Sequence, residues 1–387
     1  MAPQHIVVIP SWYSDGRGSG GGYFRDQALA LQSAGHRVAI LAPDIYTARD
    51  LRRGGPLPQQ RTGVQHDGID TYRRGRRVVM PRLPYRNALS WSLCGLRLFA
   101  EYVARNGMPD LVHAHSCLNA GVLAALIAAR HGVPFVVTEH STGFGQNRLR
   151  WWERDLVRRV ARRARHRIAV SPYLARLLEQ QFPGTDWTYV PNILGEPFLA
   201  ESGEEARVSG SRRPFIFICA ARLSPVKNHA LLLAAFADAF VGEPEVLLHF
   251  AGNGPLQSQL HQVCLDRGIS EQVTFLGTLP AEELRAAMQA ADAFVLASDH
   301  ETFGVVVIEA QAAGLPVICT ASGGPDHLVD ATNGLSIPTN NRTALRDALS
   351  AMRHNAATYD RAKIRNDAIR LYGPAAFIRQ FETIIGR

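Results

Sequence analysis

Short runs of β-branched and aliphatic residues alternate with segments of helical period through most of the chain. Ile6–Ile9, Val38–Leu41, Leu111–His113, Phe135–Val137 and Ile168–Val170 read as strands, and the pattern through Phe24, Leu29 and Leu31 and over Ala120–Ala129 as helix. A second series has strands at Phe215–Ala220, Val246–Ala251, Val273–Leu276, Ala293–Ala297 and Pro316–Thr320, with helical patterns between them. Strands that alternate with helices predict parallel sheets covered on both faces. The stretch from Glu196 to Arg213 is polar and aperiodic and reads as a linker. The prediction is an α/β chain of two Rossmann-like, doubly wound domains facing across a cleft. They span residues 1–195 and 196–374, and a helix from about 375 to 387 packs back on the first. Ligands of such sheets bind beyond the carboxyl ends of the strands, so chemistry is sought in the strand-end loops.

A chain of 387 residues is too long for one ordinary core, which agrees with two domains. No apolar run is long enough to span a bilayer. Ile6–Pro10 is too short for the apolar region of a signal peptide. Five scattered cysteines with no C-x-x-C pair argue against a disulfide framework or a zinc site and favour a reducing cytosol. Charge is uneven. Residues 1–195 carry 26 arginines, no lysine and 13 acidic residues, an excess of +13, whereas the remainder is net −5. The first half is therefore suited to phosphate, an anionic lipid surface or an acidic glycan. No nucleic-acid motif accompanies the charge, and nucleic acid is not expected as a partner.

The most informative segment is Asp299-His300-Glu301-Thr302-Phe303-Gly304-Val305-Val306-Val307-Ile308-Glu309, between a strand and an apolar helix over Val305–Ala313. Amides at the start of such a helix hold a diphosphate well. Glu301 in the loop and Glu309 two turns into the helix suit sugar and ribose hydroxyls, since a diol donates twice to one carboxylate. Spacing alone reads equally well as a solvent-facing loop acid and a helix surface acid. Arg222 and Lys227 follow the strand Phe215–Ala220, where they can clamp two phosphates without a metal; an ordinary basic loop has the same composition. A Gly-rich loop, Asp15–Gly22, lets amides approach an anion but lacks dinucleotide-type G-x-G-x-x-G spacing. His140 ends the strand Phe135–Val137, at the lip of the expected cleft, placed to hydrogen-bond a sugar hydroxyl. His113 and His115 read more readily as structural. Arg148–Arg167 holds nine arginines beside Trp151 and Trp152, with Leu149, Trp152, Leu156 and Val160 on one face. That composition suits a membrane interface, or a surface helix docked on the core. Arg73, Arg74, Arg76 and Arg77 cluster in a poorly patterned segment suited to an anionic acceptor.

In their order and spacing these segments resemble the retaining glycosyltransferases of family 4, of GT-B fold, over nearly the whole chain. The resemblance rests on the first strand and Gly-rich loop, Asp110–Ser116, Val170-Ser171-Pro172 and Val190-Pro191-Asn192. It continues through the Arg222/Lys227 loop, Ala251–Leu256, Phe275-Leu276-Gly277 and the E-x7-E of Glu301 and Glu309. It implies that Glu301 and the amides of Thr302, Phe303, Gly304 and Val305 hold the donor sugar and diphosphate, and that Glu309 holds the ribose. It implies that Arg222 and Lys227 bind the diphosphate, that Gly252 belongs to the donor site, and that Gly21 or Gly22 approaches the phosphate. The first loop is longer than the usual paired glycines, which leaves that glycine open. His140 matches the histidine that contacts the donor sugar. The resemblance implies no metal or cofactor, a nucleotide-sugar donor and a glycan or lipid-linked acceptor, in cell-surface polysaccharide or glycolipid synthesis. The enzyme is expected in the cytoplasm, peripheral to the inner face of the membrane through its Arg-rich half. The alternatives are a GT-B nucleotide-sugar epimerase, which a donor without acceptor would reveal, and a non-catalytic glycan- or membrane-binding module.

Overall fold

The computed structural model of the chain describes residues 2–13, 22–46, 61–66, 68–77, 85–200 and 213–386. The chain divides into two compact units, one of residues 1–193 with 374–387 and the other of residues 194–373. Each is built on a largely parallel sheet with helices. Among the described residues no helix is long and apolar enough to cross a membrane.

The first unit's strands are β1 (His5–Pro10), β2 (Arg37–Tyr46), β3 (Arg61–His66), β4 (Ile69–Arg77), β5 (Leu111–His115), β6 (Phe135–Glu139), β7 (His166–Ala169) and β8 (Thr188–Tyr189). They lie in the order β3-β4-β2-β1-β5-β6-β7-β8, with only β3 antiparallel to its neighbour. β1 is central, and Ile6 to Pro10 are all buried because helices cover both faces. The arginines 73, 74, 76 and 77, read from sequence as unpatterned, lie on β4, which pairs in parallel with β2. Two of them have structural work. Arg73 lies over the Tyr13 ring, 4.9 Å from its centroid, and Arg74 pairs with Glu101. The helix Arg86–Asn106, which the sequence reading does not name, packs Trp91, Leu98, Phe99 and Tyr102 inward.

The C-terminal helix Pro374–Ile385 buries Phe377, Phe381, Ile384 and Ile385 against Ile6, Val8, Val38 and Ile40. Glu382 on its polar side meets Nε2 of the buried His36 at 3.1 Å. Phe381 also leads a column of rings. It lies 4.7 Å from His113, His113 lies 4.1 Å from His115, and His115 Nδ1 is 3.0 Å from His140 Nε2. All three imidazoles are buried. Burial holds His113 and His140 down to about 3, and His115 well below its ordinary value, so the column is neutral.

The second unit has β9 (Phe215–Ala220), β10 (Val246–Ala251), β11 (Val273–Gly277), β12 (Ala293–Leu296), β13 (Val317–Thr320) and β14 (Gly334–Ile337), all parallel, in the order β11-β10-β9-β12-β13-β14. The direction of winding reverses between β9 and β12, which places a crevice beyond their carboxyl ends. Glu196–Leu199, read as the start of a linker, form a helical turn that buries Phe198. Arg365 fastens it by donating to the carbonyls of Phe198, Leu199 and Ala200. Residues 201–212 lie outside the described residues.

Truncating Phe381 to Ala removes a fully buried ring from the first unit's core and is expected to cost about 3–5 kcal/mol in urea unfolding. The histidine column sets a pH dependence. Unfolded histidine titrates near 6.5 and the folded groups near 3, so between these values the unfolded chain binds more protons. Stability is complete above about pH 6.5 and is lost as pH falls toward 3, by up to about 1.4 kcal/mol per pH unit for each histidine. Thermal melts stepped from pH 7 downward measure it, and a flat profile contradicts the neutral column.

Candidate active site

The two loops at the crevice of the second unit come together through three contacts, with one more inside the second loop and one to a third loop. Lys227 Nζ pairs with Glu301 Oε1, and Ser298 Oγ donates to the same oxygen at 2.9 Å. The Glu301 side chain is 10% exposed, so its charge is held in a site nearly closed to water with the ammonium as counter-ion. The Asp299 amide donates to Val226 O at 2.9 Å. Asn228 Nδ2 lies 2.8 Å from Asp299 Oδ1 and 2.9 Å from Asn340 Oδ1, and so bridges three loops. Asn228 sits in the left-handed region with φ 52°, a conformation that Asn tolerates better than other side chains do. The sequence reading treats Lys227 as a phosphate ligand and Glu301 as a sugar ligand; the structure adds that they are each other's partners.

A third loop closes the floor. Glu301 N donates to Ser322 O at 3.1 Å, and Gly324 N to Glu301 O at 2.9 Å. A Cβ on Gly324 would sit 2.3 Å from the Phe303 nitrogen, so the Ala321–Gly324 turn touches the 301–303 backbone. Sequence reasoning passed over this Ser-Gly-Gly turn, although two adjacent glycines after the strand Pro316–Thr320 were the available signal. Gly304 then turns the chain into the helix Val305–Ala312 with φ 91°. Phe303 is buried against His327 and Tyr372, so only its main chain remains for a ligand. Thr302 and Val305 are half-buried. Val307, Ile308, Ala310, Gln311 and Ala312 face inward. Glu309 is half-buried, one turn along the helix from Val305, on its accessible side.

Arg222 is exposed on the same β9 loop as Lys227. Gly252 follows β10, in register with β9, and a Cβ there would meet Ala221 O at 2.1 Å. Its amide donates to Gly277 O at 2.6 Å, so this glycine knits the Arg222 loop to its neighbours. The site therefore brings together Arg222, Lys227, Gly252, Glu301, Thr302, Phe303, Gly304, Val305 and Glu309 within one unit.

The remaining candidates lie on the first unit. His140, expected at a lip, is only 6% exposed, enclosed by the Tyr23 and Phe24 rings at 5.0 and 5.3 Å. Sequence shows that it ends a strand but not that the helix Gly22–Ser33 covers it. Its neighbour Glu139 is a buried structural carboxylate that accepts from the amides of Cys117, His140 and Ser141. Gly22 opens the helix Gly22–Ser33, and a Cβ there would meet only Asp26, at 4.0 Å. Gly21 lies outside the described residues. The Arg-rich helix runs over Trp151–Arg163 and buries Val157, Val160 and Ala161. Of the residues expected to share a membrane-facing stripe, Val160 is thus in the core, and Trp152 and Leu156 are half-buried.

Comparison with known proteins agrees with this architecture. The family model "Glycosyl transferases group 1" matches residues 202–370 and "Glycosyltransferase Family 4" matches residues 20–194. A D-inositol 3-phosphate glycosyltransferase 1 from Catenulispora acidiphila is 30% identical over 363 residues, covering 84% of this chain and 81% of that protein. A GDP-mannose-dependent alpha-(1-6)-phosphatidylinositol monomannoside mannosyltransferase from Mycolicibacterium smegmatis is 31% identical over 215 residues, covering 52% of this chain and 55% of the relative's length. The crystal structure of Anabaena Alr3699/HepE in complex with UDP superposes with a TM-score of 0.75 at 19% identity, covering 99% of both chains. The chain belongs to the group 1, family 4 glycosyltransferases and is a glycosyltransferase of GT-B fold.

Proposed function

We propose that the second unit binds a nucleoside-diphosphate sugar and that the enzyme transfers the sugar, with retention of anomeric configuration, to a glycan or lipid-linked acceptor. The observation that carries the reading is the Lys227–Glu301 pair at the strand-order reversal, with Arg222 on the same loop as Lys227 and Glu309 on the helix that follows Glu301. In this reading the amides of Thr302, Phe303, Gly304 and Val305 and the cations Arg222 and Lys227 receive the diphosphate. Glu301 takes sugar hydroxyls and Glu309 the ribose diol. Gly252 keeps the phosphate loops together, and Gly21 or Gly22 supplies a further amide to the phosphate. Lys227 then has two tasks, to orient Glu301 before binding and to neutralise the leaving diphosphate afterwards.

Arg222 and Lys227 supply the charge that a divalent metal supplies in other phosphate chemistry, which supports a metal-independent reaction. His140, kept neutral by burial, serves as a hydrogen-bond partner of a sugar hydroxyl and not as a cation. The relative named for a phosphatidylinositol substrate and the arginine excess of residues 1–195 support an acceptor held at the inner face of an anionic membrane.

Lys227→Ala and Glu309→Ala are expected to weaken donor binding by at least about tenfold in calorimetry while leaving the circular-dichroism spectrum unchanged. Unchanged affinity in both removes the donor assignment. Activity is expected to survive exhaustive EDTA treatment, and NMR of the product to show the donor's anomeric configuration; an inverted product refutes retention alone. Asn228→Gly keeps the left-handed backbone but cuts the bridge to Asp299 and Asn340, and should raise the donor KM with little change in kcat. Asn228→Asp sets a like charge against Asp299 and should be the worse of the two.

A further inference from the structure

We infer that the outward face of the helix Arg86–Asn106, together with Trp151, is a docking surface for an anionic lipid bilayer. The inference rests on the reading of a membrane-held acceptor for its purpose, and on the surface itself for its evidence. Leu89 is 55% exposed, Leu93 41% and Trp151 69%. Along the helix Arg86, Leu89, Leu93, Arg97, Ala100 and Ala104 recur at three- and four-residue steps and are all exposed, so they form one stripe. Trp91, Leu98, Phe99 and Tyr102 serve the core, whereas Leu89 and Leu93 turn outward among arginine and alanine.

The second helix joins it at Tyr85, which directly precedes the first. The Tyr85 ring lies 5.9 Å from that of Trp151 and 5.8 Å from that of Trp152, and Tyr85 O accepts from Leu89 N at 2.8 Å. Trp151 shares a side of its helix with Arg154, Arg158 and Arg162, again at three- and four-residue steps. The acids of these elements each have a partner, and Asp155 also accepts from the Tyr85 hydroxyl at 3.4 Å. Glu101 pairs with Arg74, Asp155 with Arg159, and Glu153 accepts from the Arg150 amide. What faces outward is two leucines and a tryptophan, flanked by the exposed Arg86, Arg97, Arg158 and Arg162.

That chemistry selects the occupant. A row of guanidinium groups needs a dense field of anions, and exposed leucine and tryptophan beside it need the boundary between headgroups and acyl chains. Indole suits that boundary because its ring is apolar and its N–H is polar. The Arg-rich helix by itself cannot do this, since its own aliphatic stripe of Val157, Val160 and Ala161 is buried in the unit. The neighbouring helix supplies the apolar part.

Flotation of the full chain with vesicles tests the surface. The chain is expected to float with vesicles rich in phosphatidylglycerol and to stay in solution with phosphatidylcholine alone. Leu89→Gln/Leu93→Gln/Trp151→Gln should reduce partitioning by at least about tenfold, and Arg158→Gln/Arg162→Gln by roughly fivefold per arginine. Thermal melts must match the unsubstituted protein in both variants. Three results overturn the proposal: no flotation with phosphatidylglycerol vesicles at low salt, undiminished flotation of the triple variant, or a concentration-dependent dimer in sedimentation that the triple variant abolishes. Donor binding in the same preparations separates the two readings. Intact donor affinity without flotation removes the docking face and leaves the transferase reading standing, whereas flotation without donor affinity does the reverse.

Discussion

One ion pair organises the second unit. Lys227 and Glu301 lie on loops separated by most of a sheet in sequence, and each charge is too enclosed to stand alone. Their contact requires β9 and β12 to end side by side, so it depends on the reversal of strand order. It also requires the loops to hold their shape, which Asn228, Asp299 and Asn340 do from one side and the Ser322–Gly324 turn from the other. At Gly252 and Gly324 neighbouring backbones press close, and a methyl group at either would push the loops apart. The pair is thus the endpoint of the fold as well as the start of its chemistry.

The parallel strands were legible in sequence because burial on both faces leaves an uninterrupted apolar run, as in Ile6–Ile9 and Phe215–Ala220. β4 was not, because two adjacent arginine pairs, 73/74 and 76/77, fill its second half one strand from the edge of the sheet, where polar residues are tolerated and the apolar pattern fails. The helix Arg86–Asn106 also escaped the reading. Its inward face recurs with helical period through Trp91, Leu98, Phe99 and Tyr102, and the signal was there to be read. At the donor site, residue types and loop positions could be read directly from the strand-end segments. Partnership could not, since two charges 74 positions apart carry no mark of their contact. Burial of His140 was equally hidden, because Tyr23 and Phe24 that enclose it come from another element.

Arginine count also overstates how much of the first unit is a binding surface. Arg167 donates to the carbonyls of Ala161, Ala164 and Asp186 and so secures the end of a helix and the approach to β8. Arg74 is tied to Glu101, and Arg73 covers a tyrosine ring. Such groups act through fixed, planar hydrogen-bond geometry, for which arginine is better suited than lysine. Among the described residues, Arg86, Arg97, Arg158 and Arg162 along the exposed sides of two helices are part of the charge that faces outward.

That preference for arginine leaves the chain with only two lysines, Lys227 and Lys363. Guanidinium groups resist acylation at neutral pH, whereas a primary amine accepts it. The side-chain amines open to covalent labelling are therefore the partner of Glu301 and one residue on the surface helix Arg361–Tyr372, where Lys363 pairs with Asp367. Because Lys227 is enclosed and Lys363 is mostly open, a bulky amine reagent distinguishes them by size, and a small one reports how accessible the crevice is. The chain thus carries a nearly unique chemical handle at the place where its two central loops meet.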